Sequence, residues 1–226
     1  MKLEDVFSRL PELYNKRFGE LKLKEDISGF AVNKGNAGQF LQELLNMPND
    51  SKLTDFSDGE LKTNQSLPSG MPDQTMFITQ ISKDFDSLFF EESETNRLLD
   101  KISNLLYLPV VKPDNKKPED WYFLPAYHID SNQNQELKEL YRLDFLDIKQ
   151  QILEHLDNSK DGYIHTSNGK YIQIRSKDSK RKDGTYNPIY SDVLGRNVSN
   201  KNHAFYFQKS FMKDIQNGVI PSKRII

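Results

Sequence analysis

The stretch "DFSDGELKTN", residues 55 to 64, crowds Asp55, Asp58, Glu60 and Lys62 into eight positions. Side chains two apart on a strand share a face, so Glu60 and Lys62 would point together while Leu61 and Thr63 point away. Gly59 tolerates backbone conformations closed to other residues and could fold the Ser57-Asp58-Gly59 turn so that Asp55 approaches Glu60. Two carboxylates beside an ammonium can hold Mg²⁺, a hard cation that takes oxygen ligands and retains waters. Such an ion lowers the pKa of a bound water and neutralises charge growing on a phosphate. A neighbouring lysine orients that water or stabilises the transition state. This is the Asp…Glu-x-Lys arrangement of phosphodiester hydrolysis. On an exposed strand the same Glu-x-Lys is a solvated ion pair of small energetic value.

The chain that must position these groups has 226 residues and no cysteine. Its length suffices for a core without disulfide support, and the missing thiols exclude disulfide frameworks, thiolate zinc sites and cysteine nucleophiles. They also fit a reducing, cytoplasmic setting. The opening "MKLEDVFSRLPELYNKRFGE" reads as an amphipathic helix, not a signal peptide, because Asp5, Arg9 and Glu12 interrupt any apolar run. The longest apolar stretch, "LLYLPVV" (105 to 111), is far too short to span a bilayer, so a soluble chain with no membrane partner is expected. The formal net charge is −2, which is not the footprint of a basic nucleic-acid binder. Its distribution is uneven, however. Arg175, Lys177, Lys180, Arg181 and Lys182 fall within eight positions, with Lys170 upstream, while acidic residues gather between 84 and 100. A near-neutral total can therefore hide a basic face and an acidic metal site.

Periodicity supplies the scaffold. Helices are expected over 3 to 18, with Pro11 a flaw, over 38 to 46, over 94 to 103 and, most clearly, over 134 to 156, where a long apolar stripe recurs. Strands are expected at "GELKTNQ", at "TMFITQI" (75 to 81), at "LLYLPVV", at "DWYFLPAYHI" (120 to 129) and at the alternating "GKYIQIRSK" (169 to 177). "HAFYFQKSFMKDI" passes from strand to C-terminal helix. "VNKGNAG" (32 to 38) reads as a turn, and 177 to 202 as a long excursion. The fold class that follows is α/β (α+β): a mixed central sheet flanked by helices, in one domain over 1 to 226.

Several of these blocks carry a family resemblance. "NKGNAGQFLQELL" (33 to 45), followed by "DFSDGELKT", resembles the MutH family of the PD-(D/E)xK nuclease superfamily, which shows a Lys-Gly-x-x-Gly turn opening a helix and then Asp-Phe…Glu-Leu-Lys-Thr. MutH is the strand-nicking endonuclease of methyl-directed mismatch repair, and type II restriction endonucleases that cut GATC are its relatives. "ETNRLLDKISNLLYLPVV" (94 to 111) is similar to the family's Glu-Thr…Lys segment leading into an apolar strand, "GKYIQIRSK" to its Tyr-(Leu/Ile)-Gln-Ile-Arg-Pro-Lys block, and "AFYFQKSF" (204 to 211) to its Phe-Tyr-Leu-Lys-Lys-Asn-Phe block. The five blocks keep the family's order over residues 33 to 211.

The resemblance implies a restriction-endonuclease-like fold, with two lobes about a DNA cleft as one form of the domain, and a Mg²⁺-dependent endonuclease acting on double-stranded DNA. Asp55 and Glu60 would be the metal ligands, Lys62 the catalytic lysine and Lys101 a second one. Lys34 and Gly35 would touch the DNA backbone, Arg175 and Lys177 would enter the major groove, where arginine can grip guanine O6 and N7, and Tyr206 would lie near the recognised adenine. A monomer or a DNA-induced dimer would act. A type II restriction enzyme is the expected form, with a mismatch-repair nicking enzyme and a DNA-binding module without catalysis as the alternatives. The interval from Asp55 to Glu60 is shorter than the family's, leaving Asp58 as an alternative ligand. The family's helix glutamate falls on Gln42, and neighbouring Glu43 is rotated about 100° away. Ser176 stands in place of the family's proline, which leaves the GATC target open. Taken singly, Lys34-Gly35 is an ordinary helix-opening turn, Lys101 a surface lysine, Arg175 part of an exposed stripe, the basic run a solvated loop, and Tyr206 and Trp121 packing residues. The four histidines show no zinc spacing, and "GNAGQ" lacks the ending of a Walker A loop.

Overall fold

A strand that is apolar at every position has to be covered on both faces, and "LLYLPVV" is buried from Leu105 to Val111. Around it the computed structural model builds a mixed α+β protein, described for residues 1–21, 36–47, 53–92, 96–113, 117–159, 162–178 and 180–226. Two 3₁₀ turns, Leu3–Val6 and Leu10–Leu13, precede helices α1 (Phe18–Leu21) and α2 (Asn36–Leu44). Strands β1 (Glu60–Ser66) and β2 (Met76–Gln80), helices α3 (Phe85–Phe90) and α4 (Arg97–Ser103), and strands β3 (Asn104–Val111), β4 (Tyr122–Phe123) and β5 (Ala126–Asp130) follow. The long helix α5 (Gln135–Asn158) leads to β6 (Ser167–Asn168), β7 (Ile172–Ser176), β8 (Ile189–Ser191), β9 (Arg196–Ser199), β10 (His203–Phe207), α6 (Lys209–Gln216) and β11 (Lys223–Ile225). Among the described residues no helix is long and apolar enough to cross a membrane.

The chain divides into two compact units. The first comprises Met1–Met76, Ile102–Asn134 and Lys209–Ile226. Its sheet runs β1-β3-β5-β11, with β4 also on β3. β1 and β3 are parallel, in register from Glu60↔Leu105 to Ser66↔Val111, while β5 lies antiparallel to β3. Ala37, Phe40 and Leu41 of α2 join Leu61 of β1 and Leu106, Leu108 and Val110 of β3 in one core, with Leu3, Val6 and Leu10 from the N-terminal turns. Phe18 packs its ring 4.6 Å from Phe40 and 4.7 Å from Phe123. Arg9 donates to the carbonyls of Leu44 and Leu45, both at 2.8 Å, and so closes the C-terminal end of α2.

The second unit comprises Phe77–Lys101 and Gln135–Gln208. Its sheet runs β2-β10-β7-β6, and β8 and β9 form a separate hairpin. One face of the sheet, carrying Ile172, Ile174, Phe205 and Phe207, is buried. Helix α5 covers it: Tyr141 sits against Phe207 and Phe145 against Phe205. The stripe Leu137, Tyr141, Phe145, Ile148, Ile152 and Leu156 recurs every three or four residues, as a helix with one buried face requires.

Several local expectations are corrected. Residues 3 to 18 form no continuous helix but two 3₁₀ turns and the start of α1, because Pro11 lacks an amide and Asn15 takes a left-handed conformation at φ 58°. The strand expected over 120 to 129 is two, β4 and β5, separated at Leu124-Pro125. Pro125 cannot donate to a ladder, and the Leu124 amide turns instead to the Pro109 carbonyl at 2.9 Å. The excursion from 177 to 202 contains the β8–β9 hairpin.

Candidate active site

Gly59 is dictated by close approach. A Cβ there would lie 2.6 Å from the Asn104 carbonyl oxygen and 2.7 Å from Leu3 Cδ1, too near for any other residue. The turn before it closes on the Phe56 amide, which donates to the Gly59 carbonyl at 2.9 Å. That closure brings Asp55 back along the chain, so that its Oδ2 accepts the Leu61 amide at 3.0 Å. Its Oδ1 accepts Gln42 Nε2 from α2 at 2.7 Å. Asp55 is thereby fastened to the amide next to Glu60, by a helix on one side and a strand on the other. Asp58 is employed elsewhere: its carboxylate accepts the Leu3 amide at 2.8 Å, and its carbonyl accepts Asn104 Nδ2 at 2.7 Å. Glu43, one step along α2 from Gln42, is exposed.

Glu60 opens β1 and is only 3% exposed. Lys62 Nζ lies 2.5 Å from Glu60 Oε1, the same-face pairing that strand alternation demands. A buried carboxylate is costly unless a cation and hydrogen bonds compensate it, and here the strand itself delivers the cation two residues on. Lys62 is in register with Tyr107 of β3. Burial pushes the Tyr107 hydroxyl well above the usual phenol range, with the Ser66 hydroxyl 3.5 Å away, so it stays protonated.

Among the described residues no three His, Asp or Glu side chains gather to hold an ion. The donors at the head of β1 are two carboxylates, Asp55 and Glu60. A structural zinc centre needs four protein ligands. Mg²⁺ commonly takes one or two carboxylates and keeps waters, and Asp55 is oriented at the head of β1 by Gln42 Nε2 on Oδ1 and the Leu61 amide on Oδ2. The residues present fit a magnesium-like ion.

The second unit gathers the other candidates on the sheet face opposite α5. Arg175 lies 6.0 Å from the Tyr206 ring centroid, and Tyr206 meets Phe77 of β2 edge-to-face at 5.7 Å. Lys177 Nζ stands 3.2 Å from the centroid of the Phe77 ring, a cation–π contact. Partial burial raises the Tyr206 pKa, and the Arg175 charge offsets part of that rise. Phe77 escaped the sequence reading, although the signal was present: in "TMFITQI" it alternates with the buried Met76 and Ile78 and so belongs to the opposite face. Lys101 is half-buried in the last turn of α4, just before β3 begins. Lys34 and Gly35 lie outside the described residues.

No family model and no curated protein matches the chain. Among solved structures, it is similar to the chain in a complex of restriction endonuclease MvaI with its cognate DNA substrate, at 14% identity and a TM-score of 0.39, over 90% of this chain and 97% of that one.

Proposed function

We propose that the protein is a Mg²⁺-dependent, sequence-specific endonuclease of double-stranded DNA, of the type II restriction kind and of MutH-like descent, with GATC as the first target to test. The observation that carries this reading is the cluster at the head of β1: Lys62 on the buried Glu60, and Asp55 held to the very next amide. Asp55 and Glu60 would ligate Mg²⁺, which when bound supplies a water of lowered pKa and neutralises phosphate charge. Gln42 and the Leu61 amide fix the Asp55 carboxylate in place. Lys62, rigid on its strand, offers N–H donors to a phosphoryl oxygen as negative charge grows on it. Lys101 is assigned a supporting charge. Arg175, Lys177 and Tyr206 form the recognition face, joined by Phe77, and Lys34 and Gly35 contact the DNA backbone. The enzyme acts in the cytoplasm, as a monomer or as a dimer formed on DNA.

One observation favours a second reading. Gln42 spends its amide on Asp55 where a third carboxylate would strengthen metal binding, as expected of a domain that recognises DNA without cutting it. Incubating unmethylated and methylated plasmid with the protein in Mg²⁺ or EDTA separates the two. Discrete fragments in Mg²⁺ alone, with common end sequences, are expected. Salt-sensitive binding without cleavage across metals and pH establishes the binding module instead.

The recognition face makes its own prediction. Phe77→Ala removes the ring on which Lys177 rests and against which Tyr206 packs. Affinity for the cleaved site is expected to fall by about 1–3 kcal/mol, the range for losing an aromatic contact to nucleic acid, with little change for scrambled duplex. Anisotropy titrations in Ca²⁺ on the two duplexes read the difference, and equal losses on both remove Phe77 from recognition.

A further inference from the structure

The groups at the head of β1 leave a half-buried cation of the first unit without a role. Lys112 follows β3 directly, and its Nζ stands 4.1 Å from the ring centroid of Trp121. Desolvation by burial lowers its pKa from the usual lysine value. Among the described residues it has no carboxylate partner. The indole beneath it is 7% exposed, and its Nε1–H is buried with no hydrogen-bond acceptor among the described residues. A partly desolvated ammonium without a counter-ion is unfavourable, and an anion beside Lys112 relieves it.

Lys112 lines a cavity of about 170 Å³ together with Ala37, Thr63, Asn64, Gln65, Gln74 and Val110. The wall holds an ammonium, a hydroxyl and three carboxamides, and no carboxylate. Asn64 Nδ2 donates to the Gln74 carbonyl at 2.8 Å, and Gln74 Nε2 to Gln65 Oε1 at 3.1 Å, which orients the amides along the wall. Asp73 reaches the lining only through Gln65, whose Nε2 it accepts at 2.9 Å. The space is ample for a phosphate group. Thr63 to Gln65 lie about 10–16 Å along β1 from Glu60 at a rise of about 3.3 Å per residue. That span corresponds to roughly three to five nucleotides of duplex at 3.4 Å each. β1 ends the sheet order; Thr63 and Gln65 face away from the Glu60–Lys62 pair while Asn64 faces with it, so the cavity wraps the outer edge of β1 farther along the strand than that pair.

We propose that the Lys112 cavity is a phosphate site, occupied by one backbone phosphate of bound DNA a few nucleotides from the cleavage point. The DNA as source of that phosphate rests on the function proposed above; the cavity's preference for a phosphate-class anion does not. Trp121 is the only tryptophan and carries Lys112 over its ring, so its fluorescence reports changes at Lys112. Two measurements are made on the parent chain, Lys112→Gln and Lys112→Arg, after melting curves confirm that each is folded. The first titrates inorganic phosphate against Trp121 emission, with chloride at equal ionic strength as control. The second follows duplex affinity in Ca²⁺ across salt concentrations. A saturable response to phosphate is expected in the parent and the arginine variant and is expected to vanish in Lys112→Gln. The glutamine variant should also bind duplex roughly tenfold more weakly, with its log–log salt slope reduced by about 0.9, the signature of one lost phosphate contact. A phosphate response with an unchanged salt slope, or with no duplex binding by the parent at all, overturns the DNA assignment; no response in either measurement overturns the site itself.

Discussion

Glu60→Gln is expected to bind duplex DNA in Ca²⁺ as tightly as the parent chain and to cleave it at least about a thousandfold more slowly in Mg²⁺, the upper range for loss of one group acting on transition-state charge. The glutamine is chosen with care. Glu60 is 3% exposed and carries the Lys62 ammonium on Oε1. Alanine would leave that ammonium buried without its partner, a change that costs about 3–5 kcal/mol, and lost activity would then be confused with lost structure. Glutamine keeps the length, the packing against β3 and one carbonyl acceptor for Lys62, and removes only the negative charge. Single-turnover cleavage measures the chemical step without product release, and anisotropy measures binding on the same duplex. A glutamine variant that cleaves at the parent rate removes Glu60 from the chemistry, and the Asp55–Glu60–Lys62 reading with it. Lys62→Met tests the other half of the pair: it takes the Lys62 ammonium from a buried carboxylate, so a stability loss should accompany the loss of cleavage.

The charged cluster was legible because strand alternation is a rigid rule. Glu60 and Lys62 had to share a face once residues 60 to 66 formed a strand, and they do. The same rule made β7 readable, an unbroken apolar run marked the buried β3, and helical periodicity made α5 readable. What was hidden depends on contacts between residues far apart in sequence. Gln42 reaches Asp55 across 13 positions, and nothing local to either residue announces it. Gly59 was read as a residue free to bend; its actual constraint is the Asn104 carbonyl and the Leu3 side chain, which no local pattern displays. The N-terminal stretch misled for a different reason. Its apolar residues recur at helical spacing, but Leu3, Val6 and Leu10 are equally well buried by two 3₁₀ turns, and Pro11 with Asn15 decides between the two. Lys112 and Trp121 come together only because the chain returns through β4 beside the end of β3.

Asp144 received no role from the sequence, although it stands three residues after Tyr141 and four before Ile148, on the apolar stripe of α5. It faces inward at 5% exposure and accepts three consecutive amides, from Lys170 at 2.6 Å, Tyr171 at 2.6 Å and Ile172 at 2.9 Å. Gly169 is required beside it, since a Cβ there would lie 2.8 Å from the Asp144 carboxylate. One side chain of α5 thus gathers the start of β7, the strand that carries Arg175. Asp144→Ala strands these donors, each costing about 1–3 kcal/mol when buried without a partner. Partial hydration of the gap offsets some of that, and a net loss of about 4 kcal/mol is expected, which lowers the melting temperature by roughly 8–16 °C at about 2–4 °C per kcal/mol. Asp144→Asn retains a single carbonyl oxygen and turns an N–H₂ toward groups that themselves donate, so it should recover less than half of the loss. Hydrogen exchange supplies the local test. In Asp144→Ala the amides of residues 170 to 172 should lose protection before those of β1 and β3, because the second unit's sheet is released at its anchoring corner while the first unit's sheet keeps its ladder. Uniform loss of protection across both sheets, or a melting temperature within about 2 °C of the parent, less than a 1 kcal/mol change would give, would show that these three amides find other acceptors and that α5 holds β7 through its apolar stripe alone.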